Sequence, residues 1–257
     1  MLALLAINNI IMMILLADTH LVVGSPNGES MNTRGLVSPT PFVNLGGGGN
    51  MEKVMVFIDG AAMYFGLLDN LQADDIDYQK FVDFLVTEDR KLVRAYYYNS
   101  IVDQGVDPKR YSGQMKFYGA LNNIPYFKTK YGRLLIRDVK LRCRRCGERF
   151  VVSQAECPKC KEPHSCTSEI QKGVDVKIAT DILVHAFKDH YDTAILVTGD
   201  GDLAEAVEQV SQEGKHVENA FFQKGSSPFL RDKSDVFTEL TITDMKPLMG
   251  YTPGSRR

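Results

Sequence analysis

Cysteine is missing from most of this 257-residue chain: all five lie between Cys143 and Cys166. That excludes a disulfide framework spread through the fold and points instead to a local metal site in a reducing compartment, hence the cytoplasm. Positive charge is missing from the start, since no Lys or Arg precedes Arg34, and the charged opening of a secretory signal is therefore absent. Long apolar runs are missing too. Residues 2–16 are apolar but short, broken by Asn8 and Asn9 and followed by Asp18 and His20, whereas a spanning helix needs about 20 apolar residues. No membrane association is expected, a short anchor being the alternative. Neither Gly-x-Gly-x-x-Gly nor the P-loop pattern occurs, and the Asp-Gly-Asp at 200–202 lacks the later Gly and Glu of a calcium-binding EF-hand loop. There is no internal repeat.

Charge is abundant but unevenly placed. From Lys128 to Lys161, eleven Lys or Arg face three acids, a net of +8, so the rest of the chain carries −10 of the total −2. A basic insert in an acidic body divides the labour, one part attracting polyanions and the other holding cations. A plain solvated basic face is the alternative. Residues 24–50 are rich in Gly, Ser, Pro and Asn and end in four glycines and an asparagine before Met51. Met51 is the expected natural start, with residues 1–50 a disordered or non-native extension. The tail 250–257 is expected to be frayed.

From residue 51 to 249 strand and helix signals alternate. Apolar runs at 54–58 and 194–198 read as buried parallel strands. Strands are also expected at 92–98, 125–130 and 215–222, and helices at 62–71, 78–87, 109–123, 174–187 and 203–213. Val174, Ile178, Ile182 and Ala186 repeat at helical spacing. This βαβα order predicts an α/β fold with a mainly parallel sheet and right-handed crossovers.

Two of these strands end in acids, Asp59 at the first and Asp200 and Asp202 at the fourth, and Asp175 opens a helix. The topological switch point of a doubly wound sheet lies between two such strands, so their ends meet at one edge. Carboxylates gathered without a cation repel one another. Oxygen-only donor sets suit Mg²⁺ or Mn²⁺. Each acid has a plainer reading: Asp202 as a helix cap, Asp175 as a partner of the helix dipole, Asp59-Gly60 as a turn. Their joint placement favours the metal site.

Cys143-Arg-Arg-Cys146 and Cys157-Pro-Lys-Cys160 form two Cys-x-x-Cys knuckles. Four thiolates at this spacing predict a tetrahedral Zn²⁺ site of zinc-ribbon type within an insert at 138–168. A redox-active pair is the alternative. Four thiolates on one zinc leave the insert at about +6. Arg142, Arg144, Arg145, Arg149, Lys159 and Lys161 are the candidate nucleic-acid contacts, with Tyr126, Phe127, Tyr131 and Phe150 as stacking surfaces or core. Docking of a protein on the ribbon is the alternative.

VMVFIDGAAMYFGL at 54–67, KGVDVKIATDIL at 172–183 and YDTAILVTGDGDLAEAVEQVSQEGKHVENA at 191–220 together resemble a NYN domain of the LabA-like group, in the PIN-like nuclease superfamily. SSPFLRDKSDVFTEL at 226–240 resembles that family's closing segment. The resemblance implies a Rossmann-like, PIN-type parallel sheet flanked by helices. It also implies a cluster of acids binding Mg²⁺ or Mn²⁺ and hydrolysis of phosphodiesters, usually in RNA. By position, Asp59, Asp175, Asp200 and Asp202 become the metal-binding and catalytic carboxylates, and Gly60, Gly199 and Gly201 let backbone approach metal and substrate. One departure stands out: the family's first motif typically reads Asp-Gly-x-Asn, and here Ala62 takes the place of Asn. The expected function is therefore a metal-dependent endoribonuclease acting on single-stranded RNA. The alternatives are DNA as substrate, or an inactive RNA- or protein-binding regulator of the same fold. The sequence leaves monomer and homodimer open.

Overall fold

The computed structural model describes residues 51–151, 155–156, 163–164 and 167–249. The expectations for residues 1–50 and 250–257 fall outside these. The described residues of 51–138 and 169–249 belong to one compact unit, the main body, and those of 139–168 to a second.

The body opens with β1 (Lys53–Asp59), six of whose seven residues are buried. It leads directly into α1 (Gly60–Leu71), α2 (Tyr78–Val86) and β2 (Lys91–Ile101). Then come α3 (Pro108–Asn122), β3 (Phe127–Asp138), β4 (Thr167–Lys172) and α4 (Val174–Phe187). The remainder is β5 (Thr193–Val197), α5 (Ala204–Gln212), β6 (His216–Phe221), α6 (Pro228–Lys233), β7 (Val236–Glu239) and α7 (Ile242–Met245). The seven strands form one sheet in the order β7-β6-β5-β1-β2-β3-β4. β1 runs parallel to both neighbours, and so do β2 with β3, β5 with β6, and β6 with β7. This is the expected Rossmann-like α/β architecture.

Side-chain alternation along β1 splits the core into two layers. Val54, Val56 and Ile58 face one way, against Met63 and Leu67 of α1, Phe81 of α2 and Leu121 of α3. Met55 and Phe57 face the other way, against Ile178 and Ile182 of α4 and Val207 and Val210 of α5. Helix starts follow local chemistry. Asp77 accepts from the amides of Gln79 and Lys80 to cap α2, and Asp107 with Pro108 opens α3. Gly173, at φ +78°, supplies the left-handed backbone that turns the chain from β4 into α4.

Four elements went unseen in the sequence: β4, α6, β7 and α7. β3 also runs eight residues past its expected end at 130. In the second unit, Lys140–Arg142 pairs antiparallel with Arg149–Val151. The turn between them is closed by the Gly147 amide on the Cys143 carbonyl at 2.9 Å and the Cys143 amide on the Glu148 carbonyl at 2.8 Å.

Candidate active site

Parallel strands deliver their carboxyl ends to one edge. β1 and β5 lie side by side with Ile58 level with Val197, which places Asp59 beside Thr198. Asp59 is only 7 % exposed. Its Oδ1 accepts from the amides of Ala61 and Ala62 at 3.0 and 3.1 Å, capping α1. Thr198 Oγ1 donates to Asp59 Oδ2 at 3.4 Å and accepts from the Asp200 amide at 3.2 Å. One buried hydroxyl thus ties the ends of β1 and β5 together.

Beyond Thr198 the chain makes a single 3₁₀ turn at Gly201–Leu203. Asp200 caps it, its Oδ1 accepting from the Asp202 amide at 2.9 Å. The capping role that the sequence offered to Asp202 therefore belongs to Asp200, and Asp202 projects into solvent. Asp175 sits in the first turn of α4. Below the edge, Asn219 of β6 is fully buried and donates to the carbonyls of Leu196 and Thr198 at 3.2 and 2.9 Å. It fixes the strand end that carries Asp200.

Two of the four acids are perturbed by burial and by the charges of their neighbours. Burial pushes the Asp59 carboxyl up to about 6, against the lowering effect of its two amide donors, and the charges on Asp175 and Asp200 raise it further. Asp175 is also raised, first by partial burial and then by Asp200 and Asp202. Among the described residues none of the four forms an ion pair. Like charges gathered without a counter-charge raise one another's proton affinity. Among the described residues, no three His, Cys, Asp or Glu side chains are gathered into a ready-made ligand set. The donor chemistry fits a hard divalent ion, while the side chains stand apart from a closed coordination shell.

The glycines around the edge are required by the packing of the chain itself. A Cβ on Gly60 would fall 2.3 Å from the Tyr97 ring, one on Gly199 2.0 Å from the Gly225 carbonyl, and one on Gly201 2.5 Å from Ser227 Oγ. The direction in which a side chain would project from each is filled by the fold itself. Thr198 and Asn219 are the functional positions that sequence reasoning missed. Thr198 could have been noticed as a polar residue directly after the apolar run of β5, whereas Asn219 lies in a strand that also holds His216 and Glu218 and has no such mark.

In the second unit Cys143 and Cys146 sit in the turn after Arg142, partly exposed and exposed respectively. The amides of Cys146 and Arg145 hold the Cys143 thiol below its ordinary range. Arg142, Arg144, Arg145 and Arg149 are all exposed, and Arg142 Nε donates to the Gly147 carbonyl at 3.2 Å. Cys157, Cys160, Lys159 and Lys161 lie outside the described residues. Of the aromatic candidates, Phe127 is core at 2 % exposure and Tyr126 is open at 62 %, while Tyr131 packs on the Tyr118 ring at 4.8 Å.

A Rossmann-like sheet with acids after the carboxyl ends of β1 and β5 defines the class: an α/β protein with its carboxylates at the edge where such folds place their ligands. The NYN domain model matches residues 53–241. The chain belongs to the NYN family, whose fold is PIN-like. Among solved structures, the protein of unknown function VPA0982 from Vibrio parahaemolyticus RIMD 2210633 is 23 % identical. That match covers 74 % of this chain and 93 % of the other at a TM-score of 0.49. A structure described under the mechanism and regulation of Sir2 enzymes is 13 % identical over 77 % of this chain and 90 % of the other, at a TM-score of 0.29. No curated protein matches the chain by sequence. Among the described residues no helix is long and apolar enough to cross a membrane.

Proposed function

We propose that this chain is a divalent-metal-dependent endoribonuclease of the LabA-like group, acting on RNA that is single-stranded where it is cut. The observation that carries the reading is the pair Asp59 and Asp200, joined through Thr198 and electrostatically coupled to Asp175, in a chain of the NYN family. Asp59 and Asp200 would hold the principal Mg²⁺ or Mn²⁺, with Asp175 and Asp202 completing its surroundings. A bound divalent cation supplies charge neutralisation at the scissile phosphate. Asp59 and Asp200 are held by Thr198 and by backbone amides, so their positions are set before substrate arrives. The more exposed Asp175 and Asp202 face the water side, where a carboxylate orients an attacking water and takes up its proton.

The insert is proposed as a zinc ribbon, Cys143, Cys146, Cys157 and Cys160 holding one Zn²⁺, with Arg142, Arg144, Arg145, Arg149, Lys159 and Lys161 contacting phosphates. A second reading is favoured by one observation. Ala62 lines a cavity together with Asp200, where the family's Asn would put an amide. Loss of that amide argues for a slow enzyme, or for a regulator that binds RNA without cutting it. The test is cleavage of end-labelled single-stranded RNA with Mn²⁺ or Mg²⁺ by the native chain and by Asp200→Asn. Metal-dependent cleavage abolished in the variant supports the nuclease. No cleavage by the native chain, with activity appearing in Ala62→Asn, supports the regulator.

A further inference from the structure

Ala62, Phe65, Gly66 and Asp69 occupy one face of α1, the face that runs outward from the Asp59 cap. That face forms one wall of a cavity of about 240 Å³, closed on the other side by Gly199, Asp200, Lys224 and Gly225. Its neighbours on α1, Met63 and Leu67, are buried in the core at 0 and 1 % exposure, whereas Phe65 is 46 % exposed. The Phe65 ring is braced edge-on by Tyr64, with centroids 5.5 Å apart at 70°. Lys224 stands on the rim at 66 % exposure, its Nζ 4.0 Å from Asp69 Oδ2. A half-exposed aromatic ring, a rim cation and Asp200 thus share one small concavity.

We propose that this cavity is a nucleobase subsite. The base next to the scissile phosphate stacks on Phe65, and Lys224 exchanges its loose contact with Asp69 for the adjoining phosphate. The inference rests on the nuclease reading above and deepens it. Stacking on an exposed ring requires a base whose face is free, and paired bases bury both faces in the helix. A cavity of this size admits one base and not a duplex. Single-strandedness is therefore a property of the pocket beside Asp200, independent of the basic insert.

The test is fluorescence anisotropy of a fluorescein-labelled 12-nucleotide single-stranded RNA on the full chain, without added Mg²⁺ or Mn²⁺. It compares native protein, Phe65→Ala and Phe65→Tyr, using intact RNA and a series bearing one abasic position each. Stacking is worth about 1–3 kcal/mol per base, so Phe65→Ala is expected to weaken binding about 5- to 150-fold. Phe65→Tyr should stay within about twofold of native by keeping the ring. One abasic RNA in the series should bind native protein as weakly as intact RNA binds Phe65→Ala, and should lose nothing further in that variant. If Phe65→Ala binds like native, or if no abasic RNA reproduces its loss, the subsite is overturned; Asp200-dependent cleavage would still leave the nuclease reading standing. If the native chain binds no RNA, both fall.

Discussion

Replacing Asp59 by Asn should stabilise the metal-free protein, although it removes a residue proposed to hold the cation. Asn remains a good helix cap, so the amides of Ala61 and Ala62 keep an acceptor. What the change removes is a buried charge. The carboxyl moves from an ordinary 3.8 to about 6 on folding, chiefly through burial, so the ionised form costs about 3 kcal/mol in the folded state. The folded chain therefore binds this proton more tightly than the unfolded one. Stability of the native sequence falls as pH rises from about 4 to about 6 and is level above that. Asp59→Asn has no such dependence at this position. At pH 7.5 and without divalent metal, the variant should exceed native by about 2–3 kcal/mol, or roughly 4–12 °C in Tm for a chain of this size. The gap should close as pH approaches 4. Adding Mn²⁺ should raise the native Tm and leave the variant unmoved. Thermal unfolding followed by circular dichroism at pH 4, 5, 6 and 7.5 reads all three. A variant less stable than native at pH 7.5, or a gap that does not change with pH, refutes the reasoning.

Gly199→Ala should lose about 1–3 kcal/mol, read from the urea midpoint, because its new methyl meets the Gly225 carbonyl at 2.0 Å. Thr198→Val keeps the volume but cuts the link between Asp59 and Asp200; cleavage should fall about 10- to 100-fold, with circular dichroism unchanged. Purified protein should carry about one zinc by elemental analysis, and Cys143→Ser should release it. Three exposed arginines, Arg144, Arg145 and Arg149, each neutralising one phosphate, contribute about −2 to the log–log salt slope of single-stranded RNA binding. The triple alanine variant should flatten the slope by that amount, and an unchanged slope would take these residues off the RNA.

Much of the fold was legible because burial imposes a period. Val174, Ile178, Ile182 and Ala186 mark α4 end to end, since each faces the sheet. The apolar run at 54–58 marks β1, since a central parallel strand is covered on both faces. The missed elements carry no such mark. β4 reads Thr-Ser-Glu-Ile-Gln-Lys and sits at the sheet's outer edge; β7 is four residues long at the opposite edge. In the candidate site, the acids showed themselves by type and by their position after strands. The residues that hold them did not. Thr198 and Asn219 act through a register that exists only once β1, β5 and β6 are aligned. The glycines show the same limit. Asp-Gly and Gly-Asp-Gly-Asp do not show that a Tyr97 ring and a Gly225 carbonyl, distant in sequence, fill the direction in which a side chain would project.

The central claim is that Asp59, Asp175, Asp200 and Asp202 act as one cation site. Titration of Mn²⁺ into the native chain at pH 7.5, with free ion counted by electron paramagnetic resonance, measures it directly. The account predicts saturable binding that is lost in both Asp59→Asn and Asp200→Asn and that weakens in the native chain near pH 5, where Asp59 takes up its proton. Binding that survives both substitutions unchanged would contradict it.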